Sequence, residues 1–256
     1  MDFVANYAPV VHDTSYRVML IVKILLRLTG MIVDVETAFL HGELEEDIFM
    51  DCPDGLGEAT GTEVDDTDCV KLLKFIYGLV QAARQWWKKL TKILRDMGFI
   101  GGDVDPCLMM YDGPFGRVFI GLYVDDCLCV GKKEGILDVI EKIQKAGLNV
   151  KVEADLCDYL SCEIVFSANG SKGWLGQPGL MENLEKKFGE VTAGLQKYQT
   201  PGTPHFHVSR DIEIAVSKGD QKLYQSGVGM LLYLVKHSRP DLANCVRIVK
   251  EHGQGK

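Results

Sequence analysis

The stretch GLYVDDCLCVG at residues 121–131 constrains this chain more than any other. Asp125 and Asp126 stand side by side between two apolar runs, Val118–Val124 and Cys127–Val130. Both runs are short and rich in β-branched or apolar residues, and Gly131 closes the second, which predicts two buried strands. Two residues between such strands is the length of a tight hairpin turn. Asn-Gly is absent there, and two negative charges take its place. Aspartate is a common turn residue, so a solvated turn accounts for the pair without any chemistry. The competing reading is a divalent-cation site. Hard cations such as Mg²⁺ take oxygen ligands and use one or two carboxylates together with substrate phosphates.

A third acid from a distant part of the chain separates the two readings. Asp34 is the candidate, because it sits in the apolar strand Met31–Val35, where a charge is costly unless paired or metal-bound. On an edge strand it would simply reach water. Paired beside the hairpin, it would bring three carboxylates together, and such a cluster repels itself unless cations neutralise it. Two bridged cations form the clamp used for in-line attack on phosphorus.

The 256 residues are 46% hydrophobic, enough for one or two packed cores. No apolar run is long enough for a membrane span, since Lys23 and Arg27 interrupt Val18–Leu28. The start Met1-Asp2-Phe3 lacks the basic residues of a signal peptide. Eight cysteines without metal-ligand spacing read as reduced core thiols of an intracellular protein. The net charge of −8 argues against a general nucleic-acid binder, but it hides an asymmetry. Glu43–Asp68 holds eleven acids and no Lys or Arg; Lys71–Arg95 holds seven basic residues and no acid. That basic stripe is either a phosphate-binding surface or a solvated helix face.

Along the chain, residues 14–28 read as a helix capped by Thr14 or Ser15 and closed by Gly30. Thr37–Leu44 reads as a helical turn, and residues 51–68 as a loop. Residues 82–97 form an amphipathic helix with Trp86, Trp87, Leu90, Ile93, Leu94 and Met97 on one stripe. A helix through Ile136–Ile143, a strand at 150–152 and a second hairpin, Leu160–Phe166 with Trp174–Leu175, follow. After Gly179 the chain is mainly helical, broken at Thr200-Pro201-Gly202-Thr203-Pro204. The fold class is α+β, a sheet of hairpins with helices on one face, followed by a smaller helical part.

The segments VDVETAFLHGELEEDIFMDCPDG, KFIYGLVQAARQWW, GFIGGDVDPCL and LYVDDCL, in that order, resemble the reverse transcriptase domain of copia-type LTR retrotransposons. The resemblance continues through DYLSCEI, LGQPGLMENLEKKFG and YQSGVGMLLYLVKHSRPDLA, nearly to the end of the chain. It implies a right-hand polymerase. Residues 1–166 would be the palm with partial fingers, and residues 167–256 a thumb-like region. The implied activity copies RNA or DNA into DNA with Mg²⁺, or Mn²⁺ in its place.

By position, the resemblance makes Asp34, Asp125 and Asp126 the catalytic, metal-binding carboxylates, with Val35 beside them at the metal. Phe39 becomes the aromatic under the incoming sugar, where a ring can exclude the ribose 2′-hydroxyl; alternatively it is an ordinary core Phe. Ala38, Gln81 and Tyr123 fall at the nucleotide. Tyr77, Gly78, Arg84, Lys88, Lys89 and Lys92 fall on the nucleic acid. Tyr159 and Leu160 belong to the hairpin that would grip the primer, and the Gly227–Leu234 helix would track the duplex. The implied partners are primer and template, deoxynucleoside triphosphates, and the integrase and ribonuclease H parts of a Gag-Pol-type polyprotein, with no membrane. The implied location is the cytoplasm, in virus-like particles, with nuclear access.

The sequence also departs from the family pattern. Ala82-Ala83 stands where Ala-Pro is usual, and Ser161-Cys162 where Leu-Gly is common. No Lys or Arg precedes Arg17, and after Arg247 the ending IVKEHGQGK no longer follows the pattern, so the basic fingers strand and the ribonuclease H domain are expected to lie outside this sequence. The activity of such a fragment is then open. Two alternatives stand beside the polymerase. One is a silent remnant that keeps the fold and binds nucleic acid. The other is a two-metal nuclease, which has no use for Phe39 or a thumb.

Overall fold

The computed structural model describes residues 7–42, 44, 46–65, 67–196, 200–201 and 217–252. The chain begins with helix α1 (Asp13–Leu25), strand β1 (Thr29–Val35) and a 3-10 turn at Ala38–His41. Strand β2 (Phe49–Asp51), helix α2 (Leu56–Thr60) and strand β3 (Cys69–Lys71) follow, so residues 51–68 are not wholly loop. Next come helix α3 (Ala82–Asp96) and strands β4 (Ile100–Gly101), β5 (Leu108–Gly113), β6 (Gly116–Tyr123) and β7 (Asp126–Gly131). Helix α4 (Lys133–Lys145) leads to strand β8 (Val150–Glu153). Strands β9 (Asp158–Tyr159), β10 (Cys162–Phe166) and β11 (Gly173–Gly176) precede helices α5 (Pro178–Thr192), α6 (Lys218–His237) and α7 (Ala243–His252).

The main sheet has six strands in the order β4-β5-β6-β7-β1-β8, and every pair is antiparallel. Strand β1 lies between β7 and β8, not at an edge. Side chains alternate across a strand. Met31, Val33 and Val35 therefore share one face with Cys127, Cys129, Ile120 and Leu122. That face packs into one core with Trp86, Leu90 and Leu94 of α3 and Ile136, Val139, Ile140 and Ile143 of α4. The helical stripe read on residues 82–97 is the reason α3 lies there: Trp86, Leu90 and Leu94 are buried, and Trp87, Ile93 and Met97 pack at the margin.

The other face carries Ile32, Asp34, Asp126, Leu128, Gly121 and Tyr123. The expectation of helices on one face only is corrected here. A Cβ on Gly121 would come 3.0 Å from Met19 Sδ of α1, so α1 lies against this second face and glycine admits it. Two smaller expectations are also corrected. Neither Thr14 nor Ser15 caps α1: His12 occupies that position without a side-chain hydrogen bond, and Asp13 in the first turn meets the positive end of the helix dipole. Gly30 is already in β1, and the turn is made by Arg27 at φ 53°.

Contacts divide the chain into two compact units, Met1–Leu156 and Cys157–Lys256. A boundary at 166 would cut the second unit, because β9 and β11 both pair with β10 in one three-stranded sheet. Within that unit, Lys187 Nζ donates to Ser226 Oγ at 2.6 Å between α5 and α6, and Gly227 lies under the Phe188 ring. Ser217 caps α6, its Oγ accepting the Asp220 amide at 3.1 Å. The expected break at 202–204 falls outside the described residues. The thiols are only partly a core feature: Cys107, Cys127, Cys129 and Cys162 are buried, whereas Cys69 and Cys157 are exposed.

The β9–β10 turn is Leu160-Ser161, and both residues have positive φ, 53° and 60°. A two-residue hairpin of this kind favours Asn-Gly because side chains are strained there. Ser161→Gly is therefore expected to stabilise the chain by about 0.5–1 kcal/mol, seen as a higher urea midpoint. An unchanged or lower midpoint would count against strain at this turn.

Candidate active site

The acidic hairpin is built differently from its first reading. Tyr123 pairs with Asp126, so the two loop residues are Val124 and Asp125, and Asp126 already belongs to β7. Val124 takes φ 58°. A β-branched residue in the left-handed region is an outlier, costing on the order of 1–3 kcal/mol. Glycine is the usual occupant of such a position.

Strand β1 then brings the third acid alongside. Asp34 lies directly opposite Asp126 across the β1–β7 pair, so the two share a face of the sheet. The Val35 amide donates to the Asp125 carbonyl at 3.0 Å, which fixes the turn against the end of β1. On the other side of β1, Lys151 of β8 is directly opposite Asp34. Lys151 Nζ is 3.6 Å from Glu153 Oε1.

Electrostatics describe a site short of positive charge. Desolvation raises the Asp34 pKa first, the Asp125 carboxylate adds to it, and Lys151 opposes it. Asp126 is raised by desolvation, then by Asp125, Asp34 and Glu153. The Tyr77 hydroxyl is also pushed up, first by desolvation and then by the Asp125 carboxylate. The Cys127 and Cys129 thiols on the buried face are raised by burial, Cys129 to about 12, which keeps both protonated and inert.

Oxygen donors, partial burial and mutual repulsion suit a hard divalent cation. As they stand, no three His, Cys, Asp or Glu side chains among the described residues close up far enough to hold one.

The other expected site residues fall into three groups. Phe39, on the 3-10 turn after β1, is half-buried, with its ring centroid 4.4 Å from that of Tyr77. Ala38, its neighbour in the chain, is fully buried, and Tyr123 is exposed. Tyr77 and Gly78 are exposed, and Gln81 stands at the start of α3. The basic stripe is divided. Arg84 donates to the Tyr7 carbonyl at 3.1 Å and lies over the Trp87 ring, Lys89 donates to the His41 carbonyl at 2.8 Å, and Lys92 pairs with Asp96. Lys88 is exposed on the side of α3 away from its buried stripe. Tyr159 is buried in the second unit, so its side chain serves packing; Leu160 forms the strained turn, its carbonyl accepting from the Tyr233 hydroxyl at 3.4 Å.

Sequence reasoning missed Trp86. Its indole is 1% exposed and donates to the Val124 carbonyl at 2.7 Å. No sequence signal marked this bond, because the apolar run placed Val124 in the strand and only the observed register puts it in the turn.

Comparison with known proteins identifies the family. A family model described as reverse transcriptase (RNA-dependent DNA polymerase) matches residues 1–200. The chain is 32% identical over 256 residues to the Retrovirus-related Pol polyprotein from transposon TNT 1-94 of Nicotiana tabacum, covering 97% of this chain and 19% of that polyprotein. It is 29% identical to the Retrovirus-related Pol polyprotein from transposon RE1 of Arabidopsis thaliana, over 96% of this chain and 16% of that protein. The putative transposon Ty5-1 protein YCL074W of Saccharomyces cerevisiae is 27% identical over 85% of this chain and 68% of its own length. The chain therefore belongs to the reverse transcriptase (RNA-dependent DNA polymerase) family, in the form found in copia-type LTR retrotransposons. It spans less than a fifth of the length of the two plant polyproteins.

Proposed function

We propose that Met1–Leu156 is the palm, with part of the fingers, of a polymerase that extends a primer on an RNA or DNA template, and that the second unit includes the thumb. The observation that carries this reading is Asp34 directly opposite Asp126, with Asp125 in the turn beside them. Asp34, Asp125 and Asp126, with the Val35 backbone, would hold Mg²⁺ or Mn²⁺. The bound cations would lower the pKa of the primer 3′-hydroxyl and neutralise charge on the triphosphate. The chain's own contribution is positioning. Phe39, on buried Ala38, is the wall under the sugar, and Tyr77, Gly78, Gln81 and Tyr123 line the nucleotide and template side. Leu160 and α6 contact the primer duplex. The polyprotein partners would be integrase and ribonuclease H, and the setting cytoplasmic virus-like particles with access to the nucleus.

The test is extension of a primer on a homopolymer template with Mg²⁺ or Mn²⁺, against Asp125→Asn. Extension by the parent chain alone supports the reading. A second reading, an inert remnant that binds nucleic acid, is favoured by the carboxylates not closing up as they stand. It predicts duplex binding without extension. If neither extension nor binding occurs, both readings fail.

The divided stripe narrows the electrostatic expectation to Lys88. Lys88→Glu is expected to weaken duplex binding and to flatten the salt dependence by about one unit of slope. A slope equal to that of the parent chain would make this side of α3 a solvated face. Lys89→Glu should cost stability as well, because Lys89 holds the His41 carbonyl.

A further inference from the structure

We infer that Trp86 is a positioning residue for the acidic turn: its indole N–H holds the Val124 carbonyl and so fixes where Asp125 and Asp126 stand. This rests on the polymerase reading for its meaning, but not for its geometry. The indole is a donor with no acceptor capacity, and buried donors need a partner. Trp86 finds that partner 38 residues away, in the backbone of a residue held at positive φ. The turn is then pinned from two sides. The Val124 carbonyl is held by α3, and the next carbonyl, that of Asp125, is held by the Val35 amide of β1.

Strain persists only where the surroundings over-determine it. Valine at φ 58° would relax to negative φ if its carbonyl were free to rotate, and rotation of that peptide re-aims the residue that follows it, Asp125. Trp86 also stands beside the turn that carries Phe39, with the His41 ring centroid 6.0 Å from the indole. One side chain thus backs both the carboxylates and the sugar wall. A tryptophan that only filled space would need the ring and not the N–H.

The experiment separates these roles. Trp86→Phe keeps most of the ring, and benzothienylalanine at 86 keeps the full shape but lacks the N–H. Val124→Gly removes the strain the bond opposes. Amide exchange of Val35, followed by NMR on the whole chain, reads the turn, and titration with Mn²⁺ reads the carboxylates. In both ring variants Val35 protection is expected to fall about tenfold, and Mn²⁺ affinity by a similar factor, the size usual for groups that orient metal ligands. Adding Val124→Gly should restore most of both. Should Trp86→Phe fail to fold, the isostere carries the test. Parent-like Val35 protection in the isostere overturns the inference, as does a loss that Val124→Gly leaves untouched. If the parent chain binds no Mn²⁺, the polymerase reading fails, and the exchange measurement still decides the role of Trp86.

Discussion

Asp34→Asn is expected to give a chain that is folded, more resistant to heat, and unable to extend a primer. The stabilisation follows from the register. Asp34 and Asp126 face each other directly across two strands, and like charges so placed are unfavourable by up to about 1 kcal/mol. Both carboxyls are raised above their ordinary 3.8, by desolvation first and by neighbouring acids second. An acid raised in the fold binds protons more tightly there than in the unfolded chain. Its contribution to stability is therefore fully present below the ordinary value and is lost as pH rises through the raised one. The metal-free chain should weaken over that interval, and the asparagine variant should weaken less. Lys151 opposes the trend, because it loses a partner in the variant, but Glu153 remains 3.6 Å from it. The expected gain is about 2–4 °C in melting temperature at neutral pH. The catalytic loss should be on the order of a thousandfold or more, since the lost charge is one the reaction depends on. Thermal melts in chelator across pH, with primer extension in Mg²⁺, check both halves. A variant that melts lower than its parent, or extends as fast, contradicts the account.

How far the site could be read from the sequence depended on how local its causes were. The strands around Asp125, the stripe of α3 and the strand carrying Asp34 each follow from apolar periodicity within one segment, and each is present in the fold. The family resemblance rested on motifs in order, and the comparisons bear it out. What periodicity could not report was pairing. The register that sets Asp34 against Asp126 and Lys151 is a contact between distant segments, as is the Trp86 bond to Val124. Strand β5 was missed because its alternation is poor: Leu108 to Gly113 mixes methionines with Tyr111 and Asp112. Helix α1 was expected on the same face as the others because nothing in its sequence says which face Gly121 leaves open. The basic stripe was legible as charge, but charge does not say which head groups are already held by Tyr7, His41 or Asp96.

Phe39→Val is expected to let ribonucleotides in. Thr37, at φ 53°, turns the chain sharply after β1, so that Ala38 is buried and the ring of Phe39 is left half-buried beside it. That ring packs at its inner edge against the core and meets the exposed Tyr77 ring at 4.4 Å. The Asp125 carboxylate acts on the Tyr77 hydroxyl and pushes its pKa up, after desolvation. Two rings thus connect the turn after β1 to the acidic end of the sheet, which is where the sugar of a nucleotide held by those acids would lie. Deoxyribose and ribose differ there by one hydroxyl. An apolar wall rejects an added hydroxyl by about a hundredfold, and shortening the wall to valine should remove most of that. Deoxynucleotide incorporation should change far less, because no contact with the 2′-carbon is gained. As a core residue alone, Phe39 would give a different pattern: lower stability with the ratio of ribo- to deoxynucleotide efficiency unmoved. Measuring that ratio by single-nucleotide extension, alongside the melting temperature, separates the two. A ratio within threefold of the parent, about 0.7 kcal/mol, would return Phe39 to the core and leave discrimination to another residue.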